Sequence, residues 1–181
     1  MKKKTILALS VLLAIALLAA GSLYKRPVKL AQLYPDHDFD ACTGILASYA
    51  VNDSTQSRSA KPVFFPSDSE GFRLLMQGLT QQRYQKSFRN FLPGGEKTHL
   101  PAPGEFQWEL ALTFNAPVSM PDGSTGHGSL LRVTHFYGAL AIEGIGGDKP
   151  VRCSAENQQQ WAEAMLSVIT SGTSAQTAPA R

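Results

Sequence analysis

Acidic residues are missing from the start of this chain: all 14 lie beyond Pro27. Charge of either sign is missing from Ile6 to Leu23, a run of 18 residues whose only hydroxyls are Ser10 and Ser22. Cysteine is scarce. Two residues in 181 exclude a disulfide-dense scaffold. Runs of Lys or Arg are missing after the first 27 positions. Five of the 17 basic residues (Lys2, Lys3, Lys4, Lys25 and Arg26) belong to the leader and its flank, which leaves 12 against 14 acids, a net of about −2. A nucleic-acid groove needs a concentrated basic face. Arg83, Lys86 and Arg89 are instead spaced among polar residues, so no nucleic-acid partner is expected. No internal repeat occurs.

What is present begins with Lys2-Lys3-Lys4 and the oily run, closed by Tyr24-Lys25-Arg26-Pro27. A cleaved signal peptide has an apolar core of roughly 7–15 residues ending in an A-x-A-like site, and Ala19-Ala20-Gly21 or Ala20-Gly21-Ser22 would serve. A spanning helix needs about 20 apolar residues, with a lower bound near 17. The run continues to Tyr24, and a tyrosine before Lys25-Arg26 suits the far membrane interface. The excess of positive charge at the amino end keeps that end inside. The expected reading is an uncleaved signal-anchor in a bacterial inner membrane, residues 1–27, with the remainder in the periplasm. The alternative is a cleaved leader and a soluble periplasmic or secreted protein.

Residues 28–41 read as a tether, 42–170 as one β domain with a carboxy-terminal helix, and 171–181 as a disordered tail. About 140 residues is one ordinary domain. Alternating apolar positions predict strands over Thr43–Val51, Gly71–Gln81, Phe106–Phe114, Leu130–Phe136 and Ala139–Ile145. Pro62–Pro66 is an edge strand at best. Arg83–Leu92 fits helical and strand spacing alike and is taken as a strand. Asn115–Gly128 reads as a long loop. Ala155–Ile169 is the one good helix, capped by Ser154, with Trp161, Met165, Val168 and Ile169 as its apolar stripe. The expected fold is mainly β (α+β): an antiparallel curled sheet or small barrel with one late helix, after an amino-terminal membrane helix.

The chemistry-bearing residues are sparse. An extracytoplasmic domain favours pairing Cys42 with Cys153. The bridge would close a loop of about 110 residues, for which chain entropy gives roughly 4–5 kcal/mol. His37, His99, His127 and His135 show no zinc spacing. Gly123–Ser129 is not G-x-S-x-G and lacks the lysine of a phosphate loop. Glu105 and Glu109 would share a strand face, as paired carboxylates do in glycoside hydrolysis, although solvent-facing acids on an amphipathic strand are commoner. No nucleophile–base pair can be named, so neither an enzyme nor a cofactor is expected. The many aromatics of the strand region read as core, or as the wall of an apolar cavity for a lipid-like or bile-salt-like ligand.

The pieces Cys42-Thr43-Gly44-Ile45-Leu46, Gly71-Phe72-Arg73-Leu74-Leu75-Met76-Gln77-Gly78, Phe106-Gln107-Trp108-Glu109 and Pro150-Val151-Arg152-Cys153 follow a basic start and one spanning segment. In this order the chain resembles the small membrane partners of ToxR-type regulators, the ToxS-like and FidL-like proteins. The resemblance implies a non-enzymatic accessory protein whose outer domain pairs with that of a membrane-bound transcription factor. An inhibitor or immunity-type protein, acting through a loop such as 115–128, is the alternative.

Overall fold

In this computed structural model the described residues are 2–52, 57–59, 61–91, 102–119, 125–144 and 150–177, of which 2–8, 57–59, 116–119, 125–129 and 174–177 are described by backbone alone. The chain forms helix α1 (Lys2–Tyr24), a short helix α2 (Leu30–Leu33), strands β1 (Cys42–Asn52), β2 (Ser57–Ser59) and β3 (Val63–Pro66), and helix α3 (Glu70–Gln81). Strands β4 (Tyr84–Lys86), β5 (Phe106–Ser119), β6 (Thr125–Phe136), β7 (Ala139–Gly144) and β8 (Val151–Ala155) and helix α4 (Gln158–Thr177) follow.

All strand pairs are antiparallel and make one curled sheet in the order β2-β1-β5-β6-β7-β8-β4, with β3 paired to the same side of the system through β1. Among the described residues no pairing joins β4 back to β1, so the sheet is open rather than a barrel. Its edges are short: β2 covers Ala50–Asn52 of β1 and β3 covers Gly44–Ala47. Short edge strands limit unwanted edge-to-edge pairing. Tyr137 and Gly138 make the two-residue turn between β6 and β7, both with positive φ (45° and 82°), which matches the right-handed twist of the flanking strands.

One face of the sheet is apolar. Ile45, Ala47, Phe106, Trp108, Leu110, Leu112, Leu131, Val133, Leu140 and Ile142 are buried there, while Glu109, Arg132 and Glu143 line the other face. Helices α3 and α4 cover the apolar face and touch each other. Met165, Ala162 and Ile169 of α4 and Leu75 and Leu79 of α3 are buried. The fold is thus mixed α/β in two layers, an antiparallel sheet with one solvated face.

Several expectations are corrected. Gly71–Gln81 is helix, not strand. Ser69 caps it, its hydroxyl accepting from the Phe72 N–H (3.2 Å), and Phe72, Leu75, Met76 and Leu79 lie at helical spacing toward the core. Among the described residues of Arg83–Leu92, which end at Phe91, Tyr84–Lys86 alone is strand, and Phe88–Phe91 is a 3-10 turn. The described parts of Asn115–Gly128 are strand: past a register shift after Phe114, Pro117–Ser119 pair with Thr125–His127, while 120–124 lie outside the described residues. Helix α4 begins at Gln158 because Ser154 and Ala155 pair with Gln85 and Tyr84, and it runs on to Thr177. Residues 28–41, read as a tether, make contacts with the domain. Val28 bridges Tyr84, Leu30 is fully buried, and the Tyr34 hydroxyl donates to the Ile142 carbonyl (2.6 Å).

The disulfide is corrected as well. Cys42 and Cys153 are separate buried thiols. Register explains why. Cys153 lies opposite Leu140, Leu140 opposite His135, His135 opposite Trp108, and Trp108 opposite Tyr49. Cys153 therefore sits in the row of Tyr49, four strand spacings away from β1 (about 19 Å along the sheet). Cys42 lies seven residues further along β1, about 23 Å. A bridge needs Cα atoms within about 7 Å.

Candidate functional site

The described residues bring no catalytic constellation together. His135 is 1 % exposed, with both ring nitrogens unpartnered. It stacks on Phe106 (5.2 Å) and Trp108 (5.5 Å), and burial lowers its pKa to about 4. His37 lies edge-on to Tyr34 and Phe114. His99 falls outside the described residues, and so does the side chain of His127. Burial raises the Cys42 thiol above its usual pKa and pushes Cys153 up to about 12, opposite to what a nucleophilic thiol requires. Glu105 accepts from the Ala102 N–H (2.7 Å), whereas Glu109 pairs with Arg132 (3.1 Å), which also reaches Glu143 (3.4 Å). The two carboxylates are engaged separately. Among the described residues no group of three metal-ligating side chains occurs.

The interior is filled by Trp108, Tyr84, His135 and the aliphatic side chains around them. Trp108 donates to the Ala162 carbonyl (3.1 Å) and meets Trp161 edge-on (5.4 Å). The concave features lie at the surface. The cleft between the Phe39–Ala41 turn and α3 holds about 530 Å³ and is rimmed by Asp40, Asp68 and Glu70; Arg73 beside them is paired with Glu70 (3.3 Å). Two apolar depressions of about 420 and 350 Å³ share Leu74 and Val168 and follow the seam between α3 and α4, past Phe64, Trp161, Ala164 and Met165. Phe64 and Leu74 are 48 % and 40 % exposed, so the seam is an apolar groove open to solvent.

The second unusual surface is α1. From Leu9 onward its apolar side chains point to every side, and none of Leu9, Leu12, Leu13, Leu17 or Leu18 is covered by the domain. Among the described residues no helix is long and apolar enough to cross a membrane; the side chains of 2–8, where the oily run begins, are not among them. The helix ends against the domain through Tyr24. That ring stacks on Phe88 (5.6 Å) and packs on Phe91 (4.8 Å), its hydroxyl donates to the Ser87 carbonyl (3.2 Å), and Asn90 donates to it (3.0 Å). Phe88 and Phe91 were legible as apolar positions of the ambiguous stretch 83–92, but not as partners of Tyr24, because the short 3-10 turn that aims them at it has no distinctive spacing. Comparison with known proteins finds no family model, no curated protein and no solved structure that matches this chain.

Proposed function

We propose that this protein is a single-pass, membrane-anchored accessory protein whose α/β domain works in the periplasm by binding a membrane partner, without chemistry of its own. The observation that carries the reading is α1: a helix that opens on three lysines, continues as an uncharged apolar run and is uncovered from Leu9 onward by the domain to which Tyr24 fastens it. A helix hydrophobic all round is a buried or membrane-spanning helix. The partner surface is the α3–α4 groove, whose apolar lining suits the apolar face of an amphipathic helix. A membrane-bound transcriptional regulator with a helical outer segment is the kind of partner that fits.

The test has two readouts. Intact chain starting at Met1 should stay with membranes through an alkaline wash. Crosslinking in intact cells should join the groove to an integral membrane protein, and Leu74→Asp or Ala164→Asp should abolish that crosslink while the thermal transition of the domain stays put. Recovery of a shortened, soluble chain would overturn the anchor. Crosslinking unaffected by both substitutions would overturn the groove.

A further inference from the structure

The junction between α1 and the domain carries a feature that anchoring alone does not require. Phe88 and Phe91 are 46 % and 68 % exposed although the turn that bears them is rigidly held. Asn90 fixes it to β8, accepting from the Arg152 N–H (2.8 Å) and donating to the Arg152 carbonyl (3.0 Å). The Phe88 ring reaches back along the helix until its Cζ comes within 3.5 Å of where a Cβ on Gly21 would stand. One ring of the folded domain therefore lies at the depth of the last apolar turn of α1, and its open side faces whatever surrounds that turn.

The charge around these rings has one sign. No acid occurs in 24–29 or in 82–91, whereas Lys25, Arg26, Lys29, Arg83, Lys86 and Arg89 do. The two segments are brought together by the Val28–Tyr84 bridge. The Lys25 Nζ sits 4.8 Å over the Phe88 ring and the Lys86 Nζ 5.9 Å from the Tyr24 ring. The rest of the domain carries an excess of acid, so this pole is the exception. Exposed aromatic rings at the end of an apolar helix, ringed by cations, match the boundary between acyl chains and anionic headgroups.

We propose that the Phe88–Phe91 turn is a lipid-contacting foot, its two rings set in the outer leaflet beside α1 and its cations on anionic headgroups, so that the domain stands on the bilayer in one fixed orientation. The inference rests on the reading of α1 as a membrane anchor. Continuity favours lipid over a second protein, since the rings adjoin the same apolar surface that α1 presents.

The experiment uses the full chain reconstituted in vesicles of phosphatidylcholine and phosphatidylglycerol that contain lipids brominated near the headgroup. Phe91→Trp places a reporter in the foot, and Phe64→Trp places one on β3, at the opposite edge of the sheet; emission from Trp108 and Trp161 is subtracted using the unsubstituted chain. Loss of emission at position 91 but not at 64, reduced when phosphatidylglycerol is omitted, is the expected result. Equal quenching without the anionic lipid would overturn the headgroup contact. A chain that stays with the vesicles through an alkaline wash yet shows no quenching at 91 would overturn the foot and leave the anchor standing. A chain released by that wash would overturn the anchor, and the foot with it.

Discussion

At the scale of the residue, His135 is the side chain whose burial has the plainest consequence. A neutral imidazole with two unpartnered nitrogens sits between Phe106 and Trp108. Protonation there would bury an uncompensated charge, so the folded state holds its pKa at about 4 against 6.5 when free. As pH falls below 6.5 the unfolded chain takes up the proton first. Stability is complete above 6.5 and is lost down to about 4, a difference of about 3 kcal/mol. His135→Phe keeps the stacked ring and removes the titration. Urea unfolding at pH 7 and pH 4.5 should show the variant losing about 2–3 kcal/mol less than the parent over that interval. An equal loss in both proteins would place the acid sensitivity elsewhere.

At the scale of the element, the instructive piece is α3. Gly71-Phe72-Arg73-Leu74-Leu75-Met76-Gln77-Gly78 alternates well enough to read as a strand, and Gly78 reads as a bulge. The deciding signals were Ser69 as a cap and the spacing Phe72, Leu75, Met76, Leu79, which fits a helix better. The glycines serve packing rather than turning. A Cβ on Gly78 would meet the Met165 Sδ at 2.6 Å, and the Gly78 carbonyl accepts from the Trp161 indole (2.9 Å). Gly71 of α3 and Gly172 of α4 both lie against the buried Phe65 ring. No local pattern announces such a meeting of three distant segments. Strands β1, β5, β6 and β7 were legible because each alternates beside a buried apolar face. The start of α4 was not, since pairing of Ala155 with Tyr84 overrides the helix that Ser154 would otherwise cap. Alanine at Gly172 tests the packing account. Propensity alone would stabilise the helix by about 1 kcal/mol, whereas a methyl driven into a buried ring costs about 1–3 kcal/mol. Gly172→Ala should lower the unfolding free energy, and Gly172→Ala with Phe65→Leu should recover part of that loss. A more stable single variant would refute the wedge.

At the scale of the whole molecule, register keeps the two thiols apart. An expected extracytoplasmic location and an even cysteine count pointed to a bridge, but neither carries the register that places Cys42 on β1 and Cys153 on β8, far apart along and across the sheet. The native protein should migrate identically with and without reductant. Neither thiol should react with a disulfide reagent until denaturant is added, because burial disfavours both thiolates. The same burial sets the alkaline limit of the fold. Cys153 is held protonated up to about 12 against 9.0 when free, and Tyr84, whose hydroxyl donates to the Leu79 carbonyl (2.8 Å), is shifted upward too by burial and by Cys153. The unfolded chain releases these protons first, so stability is complete below pH 9 and is lost as pH rises toward 12. With His135 limiting the acid side, the region of full stability from these groups lies between about 6.5 and 9. Cys153→Ala should reduce the loss between pH 8 and pH 10.5 by about 2 kcal/mol, measured as the change in urea midpoint relative to the parent. His135→Phe should leave that alkaline limb untouched, which separates the two limits as independent properties of opposite ends of the titration.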